Sequence, residues 1–173
     1  MKTLTESAMK KLLLLAAGIF LISASSVAQT INGTFAIQNT VTGKNLRPYE
    51  AGGQNGNRIV LYNHVEWKCM TWKFTSVGAN TYQLKNLYTA KTFQSGEIPA
   101  KNGSALVQQP ISDSDAQQWE FVEAADKSYY IRLKGTELYI TASSPETNTD
   151  IQLQKKQDKA LQLWKLVAQN PSM

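Results

Sequence analysis

The residues best able to hold a ligand lie in one short segment, where two aromatic side chains flank an asparagine, a histidine and a glutamate. They are Tyr62, Asn63, His64, Glu66 and Trp67. A ligand pocket usually combines an aromatic or apolar surface with a few convergent polar groups. The segment offers both within six positions, so it is the first candidate for a binding loop.

Catalytic chemistry has little support, because the chain contains one histidine, His64, and one cysteine, Cys69. A Ser-His-Asp relay would have to use His64, and the sequence has no Gly-x-Ser-x-Gly elbow. One Cys and one His cannot form a Cys/His zinc site, and the acidic segment 113–115 is too short for a calcium loop. Carboxylate pairs that would hydrolyse glycosides have no supporting context. The sequence therefore predicts no enzyme activity, no metal and no cofactor.

The charge pattern does not indicate a nucleic-acid partner. The whole chain has a net charge of +5, and part of that excess precedes Ala28. The rest is mildly basic and dispersed, unlike the dense basic face of nucleic-acid-binding proteins. We interpret its one local basic patch, around Lys155, Lys156 and Lys159, as a solvated turn.

The first residues have the organisation of a secretory signal. Lys10-Lys11 precede the apolar run Leu12–Ile22, and Ser26-Val27-Ala28 resembles a cleavage site. The sequence predicts a signal peptide over residues 1–28, a secreted or periplasmic protein, and no membrane span after cleavage. The alternatives are an uncleaved anchor and a true start at Met9.

The remaining residues, 29–173, are predicted to form one all-β domain. Short alternating apolar and polar runs, such as Thr34 to Asn39 and Thr81 to Asn86, are separated by turn residues about every 8–12 positions. A single cysteine, Cys69, excludes an intrachain disulfide, and its position three residues before Trp72 favours a buried small side chain.

A threefold internal repeat organises this domain. Three tryptophans recur at offsets of 47 and 45 residues, and each follows an aliphatic residue by thirteen positions. The two-residue difference is assigned to the first hairpin of the third unit. Repeats of this length cannot bury their apolar faces alone, and three of them can close a barrel without open edges. The matching residues are Trp72, Trp119 and Trp164; Ile59, Leu106 and Ile151; Gly43, Ala90 and Gly135; and Leu46, Phe93 and Leu138.

The repeat carries a family resemblance. The third unit reads Gly135-x-x-Leu138, then Ile151-Gln152-Leu153, then Gln162-x-Trp164. This resembles the ricin B-type lectins, whose β-trefoil fold has three pseudo-symmetric four-stranded repeats. The resemblance covers about residues 31–168 and implies a structural role for the three tryptophans, although Met70 replaces the glutamine in unit one. The implied repeats, units one to three, are about residues 31–75, 76–122 and 123–168.

The resemblance also implies which positions would contact a sugar. Each family pocket uses an Asp after the hairpin Leu, a Gln and an aromatic residue on the third strand, and an Asn before Gln-x-Trp. No unit keeps this set, so the pockets are predicted to be degenerate, and galactose binding in the usual geometry is not expected. The hairpin positions hold Arg47, Gln94 and Tyr139; the strand positions hold Val60 and Tyr62, Val107 and Gln109, and Gln152 and Gln154; the last positions hold Cys69, Ala116 and Leu161.

Unit one is the leading candidate site, through Arg47, Tyr62, Asn63 and Trp67. An arginine where the family has Asp indicates an acidic ligand, such as a uronic or sialic acid. The alternative is that Tyr62 is a partly buried strand residue and Trp67 packs on its own loop. Unit three offers Tyr139, Gln152 and Gln154.

These features predict a secreted, non-enzymatic carbohydrate-binding module whose partner is a glycan or polysaccharide. Two alternatives stay open: a protein-binding β-trefoil such as a protease inhibitor, acting through loop 47–57 or loop 143–150, or a scaffold without a ligand. The sequence does not identify the sugar, the number of live sites or the oligomeric state.

Overall fold

The chain folds into short antiparallel strands, and the computed structural model describes residues 30–157 and 159–172. Strands and single 3₁₀ turns make up the regular structure of these residues, which confirms the all-β prediction. The signal-peptide prediction for residues 1–28 lies outside the described residues. Within them, no helix is long and apolar enough to cross a membrane. The strands are β1 (Gly33–Asn39), β2 (Asn45–Pro48), β3 (Ile59–Tyr62), β4 (Trp72–Gly78), β5 (Thr81–Asn86), β6 (Thr92–Ser95), β7 (Leu106–Gln109), β8 (Gln118–Glu123), β9 (Tyr129–Leu133), β10 (Leu138–Ala142), β11 (Ile151–Lys155) and β12 (Trp164–Ala168).

Six of these strands close into an antiparallel barrel. β1 pairs with β4, β4 with β5, β5 with β8, β8 with β9, β9 with β12, and β12 returns to β1. The other six form the hairpins β2–β3, β6–β7 and β10–β11. Each unit thus contributes two barrel strands and one hairpin, which is the predicted β-trefoil, and closure leaves no open edge in the barrel.

The three hairpins are joined in a ring around the pseudo-threefold axis. The residue before the third strand of each unit pairs with the second residue of the third strand in another unit. The three bridges are Arg58 with Val107, Ala105 with Gln152, and Asp150 with Val60. Main-chain hydrogen bonds repeat this pattern, with N–H groups of Gln108, Leu153 and Leu61 donating to carbonyls of Asn57, Ser104 and Thr149. One unit alone would leave these groups without partners.

The tryptophans at the start of β4, within β8 and at the start of β12 are fully buried. The indole Nε1 of Trp72 donates to the carbonyl of Leu46 at 3.2 Å, and that of Trp164 donates to the carbonyl of Ile140 at 3.0 Å. The Nε1 of Trp119 is buried and has no hydrogen-bond partner in the described part of the chain. In units one and three the indole therefore ties the hairpin to the barrel.

The strand register corrects the alignment of the third repeat. The hairpin residue equivalent to Leu46 and Phe93 is Ile140, and not Leu138 as the sequence analysis predicted. Each of the three equivalent residues lies opposite the third residue of the following strand. The indole hydrogen bonds agree, because they end on Leu46 and on Ile140. Placing the two-residue difference in the first hairpin of unit three was therefore wrong; the shorter segment is the loop between β10 and β11.

A different turn chemistry in unit three caused this error. In units one and two an asparagine, Asn39 or Asn86, caps the turn, because its Oδ1 accepts hydrogen bonds from two main-chain N–H groups. Unit three has Leu133 at that position, and the N–H of Thr136 donates to the Leu133 carbonyl at 3.1 Å. Gly135 has a left-handed backbone with φ of 71°, two places earlier in the repeat than the left-handed residue of the other units.

The turn of unit two predicts a stabilising substitution. Ala90 has φ of 56°, a conformation that costs a residue with a Cβ about 1 kcal/mol, whereas the equivalent Gly43 has φ of 66° at little cost. We expect Ala90→Gly to raise the free energy of unfolding by about 0.5–1 kcal/mol and Gly43→Ala to lower it by a similar amount. A Cβ at Gly43 would meet no atom within 4 Å, so the control measures backbone strain alone. Urea unfolding measures both, and a destabilised Ala90→Gly variant would contradict the argument.

Candidate functional site

The hairpin β2–β3 brings Arg47 against the ring of Tyr62. Arg47 pairs with Val60 across the hairpin, so Tyr62, two residues further along β3, lies diagonally on the same face. The Cζ atom of Arg47 is 3.4 Å from the centroid of the Tyr62 ring, which is a cation–π stack. The guanidinium therefore covers one face of the ring that the resemblance assigned to sugar stacking.

Arg47 has no counter-charge within the described residues. It is 7% exposed, and none of the ion pairs between residues 30–157 and 159–172 includes it. Its Nε is buried and has no hydrogen-bond partner there. Burying a charge is costly unless the charge is paired and hydrogen-bonded. Arg47 is thus a nearly buried cation that forms no ion pair with any described residue.

Cys69 lies beside the guanidinium and does not neutralise it. Burial raises the pKa of the Cys69 thiol, and the nearby Arg47 lowers that pKa only in part. The thiol is therefore protonated and neutral near pH 7. Arg47, Tyr62 and Cys69 occupy three positions that the resemblance assigned to a sugar pocket, and in the fold Arg47 is next to both of the others.

The other residues predicted for unit one are held by different partners. Asn63 accepts a hydrogen bond from the Thr147 hydroxyl at 3.2 Å, so it faces the β10–β11 loop of unit three. Trp67 is half-buried, and its carbonyl accepts hydrogen bonds from the N–H of Met70 and the hydroxyl of Thr71, both at 3.0 Å. Arg47 and Tyr62 thus form the centre of the site, and Asn63 lies at its border with unit three.

Two buried glutamines, Gln117 in unit two and Gln162 in unit three, hold the hairpins of their own units in place. The sequence analysis gave neither of them a role. The amide of Gln117 donates to Gln94 Oε1 at 2.8 Å and to the Pro110 carbonyl at 2.9 Å, and its oxygen accepts from the N–H of Ser112. Each belongs to a Gln-x-Trp element, so the repeat itself was the signal that could have identified them. The glutamine fastens the hairpin to the loop that follows it.

Gln162 repeats this arrangement in unit three. Its amide donates to the Thr141 hydroxyl at 2.9 Å and to the Lys155 carbonyl at 3.0 Å, and its oxygen accepts from the N–H of Gln157 at 2.7 Å. Thr141 pairs with Gln152, as Arg47 pairs with Val60. Thr141 is therefore the unit-three residue equivalent to Arg47.

Unit one replaces both members of this hydrogen-bonded pair. Met70 stands at the position of Gln117, and Arg47 stands at the position of Gln94. A thioether cannot donate to the hairpin and a guanidinium cannot accept, so the glutamine-type bond is absent between these two side chains. In place of that bond, the guanidinium of Arg47 stacks on Tyr62.

The register corrects the predicted site of unit three. Tyr139 was assigned to the position of the family Asp, which Thr141 holds instead. The Tyr139 ring is 5% exposed, packs edge-on against Tyr130 at 6.1 Å, and its hydroxyl donates to Glu137 at 3.3 Å. Gln154 lies opposite Tyr139 and donates to Gln152 at 3.3 Å. These three predicted contacts are neighbours, but the aromatic ring faces the protein.

No metal cluster accompanies these hairpins. Among the described residues, no group of three or more His, Cys, Asp or Glu side chains could hold a metal ion. The six-stranded barrel and its three equivalent hairpins define a β-trefoil.

Sequence comparison identifies the family. The ricin-type β-trefoil lectin domain-like family matches residues 68–154, which is half of the chain. The protein belongs to this family. No curated protein has a matching sequence.

Solved structures share the fold over most of their length. The designed threefold-symmetric protein ThreeFoil has a TM-score of 0.76 and 19% identity, over 79% of this chain and 99% of that protein. The Rhizoctonia solani agglutinin has a TM-score of 0.71 and 19% identity, over 80% and 96%. The Macrolepiota procera ricin B-like lectin, solved with lactose, has a TM-score of 0.67 and 18% identity, over 80% and 97%.

Unit one replaces both members of the hydrogen-bonded pair, so we expect the effects of Arg47 and Met70 substitutions on stability to be strongly coupled. We expect Met70→Gln alone to lower the free energy of unfolding by about 1–3 kcal/mol, because the buried amide would meet a guanidinium instead of an acceptor. Combining it with Arg47→Gln rebuilds the pair of unit two and should recover much of that loss. Urea unfolding of the wild type, the two single variants and the double variant gives the coupling energy. Single effects that add to within about 0.5 kcal/mol would contradict the expected coupling.

Proposed function

We propose that this protein is a secreted, non-enzymatic carbohydrate-binding module whose ligand contacts unit one. The proposal is supported by membership of the lectin-like family and by the solved relatives, one of which is a lectin bound to lactose. Arg47 and Tyr62 are the central contacts, and Asn63 and Trp67 lie on the loop that follows β3. In unit three, Gln152 and Gln154 stay predicted contacts, with Tyr139 supporting them.

The ligand class follows from the buried guanidinium, which is the observation that carries the proposal. A carboxylate would supply the missing charge and could accept two parallel hydrogen bonds from the guanidinium, the strongest polar contact available to an arginine. Sugars that carry a carboxylate, the uronic and sialic acids, fit this requirement. A neutral galactose does not, because the positions of the family Asp hold Arg47, Gln94 and Thr141, none of which is a carboxylate.

The resemblance implies that a sugar stacks on the ring of Tyr62, but in this site one face of that ring supports the Arg47 guanidinium. Its covered face holds the guanidinium in place, which reduces the side-chain entropy that Arg47 loses when it binds. One such site is worth about 4 kcal/mol at millimolar affinity. Display on a dense glycan surface would raise the apparent affinity through multivalency.

The export prediction completes the proposal. Residues 1–28 are proposed to direct secretion, with cleavage near Ala28, so that the binding domain acts outside the cytoplasm. Mass spectrometry of the exported protein should give a mature N-terminus near Gln29. A chain that retains Lys10-Lys11 would contradict cleavage and favour an anchor.

The ligand class can be tested by comparing acidic sugars with their carboxyl-reduced forms, and substitution of Arg47 with substitution of another arginine. We expect immobilised uronate or sialate oligosaccharides to bind the protein, and their carboxyl-reduced forms to bind at least about tenfold more weakly. Arg47→Gln should cause a similar loss, since it copies the residue of unit two. Surface plasmon resonance measures both effects.

Arg58 provides the control for this experiment. It also lies over a tyrosine, with its Cζ 4.5 Å from the Tyr49 centroid, but it is paired with Asp150 at 2.6 Å. Arg58→Gln should leave glycan binding unchanged. Equal binding of the acidic and reduced sugars would reject the acidic ligand, and no binding to any glycan would reject the carbohydrate-binding function.

A further inference from the structure

A ring of large side chains fills the barrel at the end where β1 begins, away from the turn at Asn39. Three of its members lie opposite the tryptophans on the paired strands, and the other three follow the tryptophans by two residues. Five are aromatic and one is a leucine. The members are Phe35, Tyr82 and Tyr129, and Phe74, Phe121 and Leu166.

The aromatic contacts run around the ring and stop at the leucine. Centroid distances are 5.5 Å from Phe35 to Phe74, 5.2 Å from Phe74 to Phe121, and 5.7 Å from Phe121 to Tyr129. Leu166 stands where the other units have phenylalanine. A cavity of about 390 Å³ opens at this point, lined by Leu166, Phe35 and Tyr129 together with Ile31 and Lys127.

Ile31 and Lys127 shape the mouth of this cavity. The main-chain N–H of Ile31 donates to the Tyr82 hydroxyl at 2.9 Å, which fixes the segment before β1 across the barrel opening. A second cavity of about 220 Å³ shares Ile31, Lys127 and Tyr129 and adds Glu123. Lys127 is exposed and forms no ion pair with any described residue.

The charged residues that line each cavity indicate the charge of the ligand that it can bind. Lys127 is the only charged residue that lines the larger cavity within the described chain, whereas Glu123 opposes an anion in the smaller one. Two aromatic faces and a leucine offer an apolar interior of a size typical of ligand pockets. We propose that the larger cavity binds a small aromatic carboxylate, with its ring between Phe35 and Tyr129 and its carboxylate on Lys127. This site is separate from the hairpin site and does not depend on glycan binding.

The proposal is tested by titrating the mature chain with naphthalene-2-carboxylate and following amide shifts by NMR. We expect shifts at Ile31, Lys127 and Leu166, and none around Arg47. Leu166→Phe should weaken them, because it places in one wall of the cavity the larger side chain that the other two units carry. Glycan binding by this variant should be unchanged.

The charge contribution is tested separately, in a way that does not depend on whether Leu166→Phe folds. Lys127→Met should weaken binding of naphthalene-2-carboxylate about tenfold. The neutral naphthalene-2-methanol should bind the unmodified protein more weakly by a similar factor. Lys73→Met, at an exposed lysine on β4 that lines neither cavity, is the control. No shifts at millimolar probe, unchanged binding by the folded Leu166→Phe variant, or equal binding of the acid and the alcohol would overturn the proposal.

Discussion

The pairing of β12 with β1 is the constraint on which the rest of the molecule depends. Without it the barrel is an open sheet, and the ring of bridges between the three hairpins cannot close. Each unit of four strands is too short to bury its own apolar face, so the chain gains stability only when all three units meet. The three buried tryptophans lie at that meeting point, and in two units the indole also reaches the hairpin through a main-chain carbonyl.

Departures from the threefold repeat occur where ligands are proposed to bind. In units two and three a glutamine is satisfied by the neighbouring hairpin side chain, so those positions stabilise the fold. In unit one Met70 replaces that glutamine, and Arg47 is a cation that has no ion-pair partner among residues 30–157 and 159–172. At the other end of the barrel, Leu166 interrupts a ring of aromatic side chains and lines a cavity. Repeated positions maintain the scaffold, and both proposed sites lie where the repeat is broken.

Much of the fold could be predicted from the sequence, because strand alternation and the spacing of the tryptophans reflect burial that recurs in every unit. The register of unit three could not. Gly135 was matched to Gly43 because each is a small residue sixteen positions before an aliphatic one, but the place of the left-handed residue depends on how its own turn is capped. Leu133 cannot cap as Asn39 does, so the turn closes differently, and Tyr139 was assigned to a position that Thr141 holds.

The sequence by itself determined the all-β class, the three units and the buried tryptophans, because residue type and spacing specify each of these. Together with the family resemblance, it also determined that the family carboxylates are lost. Only the tertiary structure decided that Arg47 stacks on Tyr62, that Tyr139 is buried against Tyr130, and that a cavity lies beside Leu166. The first two features depend on how the side chains of neighbouring strands pack, and the cavity depends on residues of β1, β9 and β12 that meet at one end of the barrel. Contacts between strands that are far apart in the chain are set by barrel closure, which no local pattern of residues records.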